Sequence, residues 1–186
     1  MATRSCVAYK TKYGWKGVYS HWDGYPRGVG KVVYDIIMQR FLLNKGRFGV
    51  SNNASVEKKL QAFIDIYIKG HPGGWSIFGE ECYCHSPEFV MRDGFVSGEI
   101  TNETVDALSI EWVYIIDSKR GKLIILTNAR DKGFVFENGF KISKYKHYKV
   151  CELELNPDLP EPDWKLIEMK GEEISEKYYK KYEKEV

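Results

Sequence analysis

Two short runs rich in β-branched and aromatic residues, joined by a tight turn, constrain the fold of this chain most. Residues 110–117 and 122–127 read as strands, and Ser118-Lys119-Arg120-Gly121 supplies the turn between them. A second hairpin is expected at the start, with strands at residues 3–10 and 15–22 around Lys12-Tyr13-Gly14. In its second strand Trp15, Gly17, Tyr19 and His21 share one face, and Lys16, Val18, Ser20 and Trp22 the other.

Helices fill the interval. Val29, Val33, Ile36, Ile37 and Phe41 form one apolar stripe over residues 28–43. Val56, Leu60, Phe63, Ile64, Tyr67 and Ile68 form another, with Ser55 as its N-cap and Gly70 as its stop. Residues 70–98 are rich in Gly, Pro and aromatics and read as an ordered loop, with short strands at 82–85 and 89–92. Residues 134–136 and 149–155 add strands. Pro157, Pro160 and Pro162 make an extended connector, and residues 172–185 read as a charged helix. Its thin stripe of Ile174, Tyr178 and Tyr182 suits light docking, or packing against another subunit in a homo-oligomer. The expected class is therefore α+β: an antiparallel sheet built from two hairpins, with helices on one face, in a single domain. Residues 1–156 form its body and 157–186 the connector and terminal helix.

Bulk properties narrow the function. The 186 residues suffice for one substantial core. Their 28 basic and 26 acidic side chains leave a net charge of +2, which provides no global field for gripping DNA or an anionic membrane. No stretch approaches the roughly 20 apolar residues of a membrane span. The start lacks the apolar run of a secretory signal, so the four cysteines are expected as reduced thiols and the chain as cytoplasmic. The basic stretch 141–149, with His147, reads as a solvated surface rather than a nucleic-acid site.

Unusual chemistry concentrates in two segments. In residues 20–31 a strand end, a loop and a helix start follow one another. A helix N-terminus offers unpaired N–H groups and the positive end of a dipole, which suit phosphate. Gly28 and Gly30 permit close backbone approach, and Arg27 and Lys31 supply positive charge. Trp22 and Tyr25 can stack on a ring, while His21 and Asp23 form a titratable pair. Arg4, at the start of the neighbouring strand, can approach the same cleft. The spacing is not that of a Walker loop, since Val32 stands where Ser or Thr should follow the lysine. The competing reading is structural: the glycines make the turn, and Asp23 caps it.

In residues 71–85 His71 and Trp75 flank a glycine pair, and Cys82, Cys84 and His85 cluster. Cys and His together raise zinc as a cofactor, yet Cys-x-Cys-His is off the usual ligand spacing. A cysteine nucleophile with a histidine base is a further reading, ranked below simple packing.

The strings Thr3-Arg4-Ser5, Tyr19-Ser20-His21-Trp22-Asp23-Gly24-Tyr25-Pro26, His71-Pro72-Gly73-Gly74-Trp75-Ser76, Cys82-Tyr83-Cys84-His85 and Glu111-Trp112-Val113-Tyr114 resemble a family of small phage and prophage proteins. The resemblance covers roughly residues 1–155, and that family usually carries Cys where this chain has Ser20. It implies a phage origin and a bacterial host cytoplasm, and it assigns no chemistry. Phage accessory proteins of this size often counteract host defence, by sequestering or cleaving a nucleotide signal or by capturing a host protein. Three functions follow as expectations. The first is a non-catalytic binder of a nucleotide-like or other phosphorylated small molecule. The second is a hydrolase or transferase centred on His21 and Asp23, with His71, Cys84 or His85 as partner. The third is a host-protein-binding module.

Overall fold

The computed structural model describes residues 3–21, 23–43, 50–69, 100–105, 107, 109–137 and 139–183. Six strands form one sheet. They are β1 (Ser5–Lys10), β2 (Trp15–Ser20), β3 (Ile100–Thr101), β4 (Trp112–Asp117), β5 (Lys122–Glu137) and β6 (Phe140–Glu154). Helix α1 covers residues 26–42, with an α-helical centre (Lys31–Ile36) between π-wound ends (Pro26–Gly30 and Ile37–Leu42). Helix α2 joins the α-helical Val56–Phe63 to the π-wound Ile64–Lys69, and α3 is Trp164–Glu183.

The class is α+β, as expected, and both hairpins form. Ser5 pairs with Ser20 and Lys10 with Trp15 in the first; Trp112 pairs with Thr127 and Asp117 with Lys122 in the second. The sheet is not antiparallel throughout, however. Its order is β3-β2-β1-β4-β5-β6, and β1 runs parallel to β4, with Ser5 opposite Trp112 and Val7 opposite Tyr114. Parallel neighbours need a long crossover. The chain between β2 and β4, which includes α1 and α2, supplies it.

All three helices contribute to one core on one face of the sheet. Val7, Val18, Tyr114, Ile116, Leu123 and Ile125 meet Val29, Val33, Ile37 and Phe41 of α1, Leu60, Phe63, Ile64 and Ile68 of α2, and Trp164 and Ile167 of α3. These are the stripes that helical periodicity marks out. Ser55 caps α2 as expected, its hydroxyl accepting from Lys58 N at 3.3 Å. The opposite face buries Cys6, Ala8, Trp15, Ile100, Ile110, Val113, Ile115 and Ile124. No helix among the described residues is long and apolar enough to cross a membrane.

Three elements differ from the sequence expectation. The pieces expected at residues 122–127, 134–136 and 149–155 belong to two long strands, β5 and β6, paired from Lys122–Glu154 out to Glu137–Phe140. The last helix begins at Trp164 rather than at residue 172. Asp163 starts it, its carboxylate accepting from Leu166 N at 3.0 Å and its carbonyl from Ile167 N at 3.1 Å. Trp164 and Ile167 then enter the main core, so this helix is anchored by its first turn. Gly171 lets it lie against the sheet, because a Cβ there would fall 2.1 Å from the Trp112 ring. Trp164→Ala should therefore cost about 3–5 kcal/mol in denaturant unfolding, as for other buried tryptophans. A loss below about 1 kcal/mol would mean that α3 is a peripheral attachment.

Candidate functional site

The turn after β2 is held by its own backbone and by β4. Gly24 N donates to Thr3 O, Gly28 N to Tyr25 O and Val29 N to Asp23 O, each at 2.9 Å. Asp23 takes a positive φ of 49°. Gly28 is required because a Cβ there would lie 2.1 Å from Asp23 O. Gly30 is required because a Cβ there would lie 2.8 Å from the Tyr114 ring. The fully buried Tyr114 donates from its hydroxyl to Gly24 O at 2.7 Å. Gly28 and Gly30 thus serve close packing, and two of the N–H groups at the helix start already have backbone acceptors.

The two cations expected to take phosphate already hold carboxylates. Arg27 donates through Nε and Nη2 to the two oxygens of Glu168, both at 2.9 Å. Lys31 bonds Asp35 at 3.0 Å and also reaches Glu161. Glu161 lies just before α3 and Glu168 within it, so the C-terminal segment neutralises the start of α1. The Arg27 fork is bidentate, the strong geometry for such a pair. Both pairs are largely exposed, so they direct α3 more than they stabilise it.

His21 and Asp23 each have a hydroxyl neighbour. His21 Nδ1 lies 3.0 Å from Tyr19 Oη, and the Asp23 carboxylate accepts from Tyr25 Oη at 3.3 Å. Partial burial, and secondarily the nearby Arg4, hold the His21 pKa below its ordinary value. Asp23 in turn pushes the Tyr25 phenol up. Arg4 is exposed, and its backbone is tied to Glu111, with Glu111 N donating to Arg4 O at 3.0 Å.

A cleft of about 200 Å3 opens beside this turn. Thr3, Tyr25, Glu111, Trp112, Asn128, Glu168, Glu172 and Ser175 line it, from the first strand's approach, the turn, β4, β5 and α3. Asn128 N donates to Glu111 O at 2.8 Å, and Ser175 Oγ bonds Asn128 O, which fixes two of its walls. Glu111 and Glu172, beside a Glu168 already held by Arg27, make it acidic, and Tyr25 gives it an aromatic side. Of the expected site residues among the described ones, only Tyr25 lines this cleft; Arg27 touches it through Glu168. Glu111, Asn128, Glu168 and Glu172 carry no local signal of a site, because only the tertiary fold brings them together.

Trp22, His71, Trp75, Cys82, Cys84 and His85 lie outside the described residues. Among the described residues no group of three or more His, Cys, Asp or Glu side chains is placed to hold a metal. Cys6 is buried, which drives its thiol pKa far up. Burial also raises Cys151, to about 11, against the pull of Lys170. Neither thiol is ionised near neutral pH, which removes both as nucleophiles. No protein-family model, curated protein or solved structure matches this chain.

Ser5 and Ser20 stand directly opposite each other on β1 and β2, fully buried, and neither hydroxyl has a hydrogen-bond partner among the described residues. An unsatisfied buried hydroxyl is costly, whereas a thiol buries as a small apolar group. Ser20→Cys, the residue the phage resemblance places there, should raise stability by about 1 kcal/mol. The melting temperature should rise by about 2–4 °C. A lowered melting temperature would show that the Ser20 hydroxyl is satisfied.

The His21 shift has a defined sign. A histidine with a depressed folded pKa binds more protons when unfolded, so its contribution grows with pH between the folded value and the ordinary 6.5. It is lost as pH falls through the folded pKa. A proton NMR titration should place the His21 midpoint below 6.5. Arg4→Ala should raise it only in part, because burial is the larger cause. A midpoint at or above 6.5 would contradict this environment.

Proposed function

We propose that the protein binds a nucleotide-like small molecule without turning it over, and that the base end of the ligand occupies the acidic cleft. One observation carries the reading: the cleft sets Tyr25 and Trp112 among Glu111, Glu168 and Glu172, with Asn128 and Ser175 at its wall. A flat ring bearing amino or imino N–H groups matches that lining. The carboxylates of Glu111 and Glu172 accept from such an edge, an amide serves either role, and the Tyr25 ring gives stacking. Phosphate is the wrong charge for this cleft. It would face solvent, outside the carboxylates. In a phage-type chain, tight binding without turnover would act by sequestering a nucleotide signal of host defence.

Isothermal titration calorimetry on the full chain tests this with nucleosides, nucleoside monophosphates, ribose 5-phosphate and inorganic phosphate. Ligands carrying a base should bind, and those lacking one should not. Tyr25→Ala or Glu172→Gln should weaken binding at least about tenfold, or 1.4 kcal/mol. The ligand should be recovered chemically unaltered. Equal binding of ribose 5-phosphate, no binding of any nucleoside or nucleotide at millimolar concentration, or turnover of the ligand would overturn the reading.

A further inference from the structure

The β5–β6 ribbon outgrows the sheet that supports it. β4 pairs with β5 only as far as Thr127, opposite Trp112. Beyond that point β5 and β6 continue alone, from Asn128–His147 to Glu137–Phe140. Ten residues of β5 and eight of β6, at about 3.3 Å per residue, give an arm about 30 Å long. Its root is fixed: Ser175 of α3 bonds Asn128 O, His147 Nε2 lies 2.7 Å from Ile110 O, and Tyr148 stacks on Tyr178 of α3 with centroids 4.1 Å apart.

Charge is sorted onto this arm. Residues 128–147 carry Arg130, Lys132, Lys141, Lys144 and Lys146 against Asp131 and Glu137, a net charge of +3. The whole chain is only +2, so all other residues together sum to −1. Lys144 and Lys146 are exposed, while Lys149, opposite Leu126 behind the root, holds Glu152 at 3.3 Å. The end of α3, which Tyr178 holds beside the root, adds Lys177, Lys180 and Lys181 against Glu183. On β6 aromatic residues are interleaved with the lysines, and the register sets Arg130 opposite Tyr145 and Phe136 opposite Lys141.

We propose that this ribbon is a docking arm for duplex DNA. The major groove admits a two-stranded β-ribbon, and lysines and arginines along it would neutralise the flanking phosphates. Lysines on an edge strand also discourage pairing with another copy. Beyond Thr127 both β5 and β6 are edges, so that role extends to Arg130 and Lys132. It does not account for the lysines at the end of α3. The local charge, rather than the balanced total, governs contact with a polyanion. The inference does not depend on the nucleotide reading of the cleft.

The test is fluorescence anisotropy of the full chain with a 20-base-pair duplex, from 50 to 200 mM salt. Binding should fall linearly on a log–log plot, with a slope near −0.9 for each phosphate contacted. The triple variant Lys141→Glu/Lys144→Glu/Lys146→Glu should bind at least tenfold more weakly and with a shallower slope. The control Lys58→Glu/Lys119→Glu, away from the arm, should bind as the parent does. Glutamate keeps the β6 edge charged, so lost binding cannot be ascribed to lost edge protection, and an unchanged circular dichroism spectrum would verify folding. No binding at 50 mM salt, equal losses in the triple variant and the control, or stronger binding to phosphatidylserine vesicles than to the duplex would overturn the proposal.

Discussion

The hydrogen bond from Tyr114 to Gly24 O is the interaction on which the arrangement depends. Tyr114 sits on β4, opposite Val7 of the parallel neighbour β1, and is fully buried. Burial drives its phenol pKa well up, so the hydroxyl stays protonated and must find an acceptor. Gly24 O is that acceptor. The bond ties the turn after β2 to a strand of the other hairpin. Its net contribution is about 1 kcal/mol, yet losing either partner would strand a buried polar group at about 1–3 kcal/mol. The ring of the same tyrosine meets Gly30, and Trp164 of α3 closes on the same glycine. One side chain thus sets the height of the turn, the seat of α1 and the surface that receives α3.

Much of this was legible in the sequence wherever the determinant is local. The 110–127 hairpin follows from β-branched density around a turn, and α1 and α2 follow from stripes of period 3.6. The parallel pairing of β1 with β4 is not local. It joins strands about a hundred residues apart, and nothing in either strand's alternation names the other as neighbour. The start of α3 is obscured for a different reason. Pro160 and Pro162 precede it and Gly171 interrupts its apolar period, although Asp163 before Trp164 is an N-cap signal in hindsight.

The candidate site shows the same division. That the turn at residues 23–30 is tight was visible in its glycines. What the tightness serves was not, because Tyr114 and Trp164 lie far along the chain. Arg27 and Lys31 were visible as cations, but a cation's partner is a tertiary fact. Glu161 and Glu168 belong to a segment that reads as connector, and they convert an apparent anion site into a brace for α3. Carboxylates in turn gather where aromatic rings were expected to meet phosphate, so the stacking element of the sequence reading survives with the opposite charge around it.

Helix α3 is what separates the acidic and basic regions of a nearly neutral chain. Its first half presents Glu168 and Glu172 to the cleft, while Ser175 and Tyr178 secure the root of the basic ribbon. Such proximity would seem to let the two fields cancel. Screening argues otherwise, since charges more than about 8 Å apart are largely independent at physiological salt. At about 3.3 Å per residue, Lys132, Lys141 and Lys144 stand beyond that distance from the cleft along the ribbon. Carboxylates at the root therefore leave the outer lysines able to act on a polyanion, and a net charge of +2 describes neither surface.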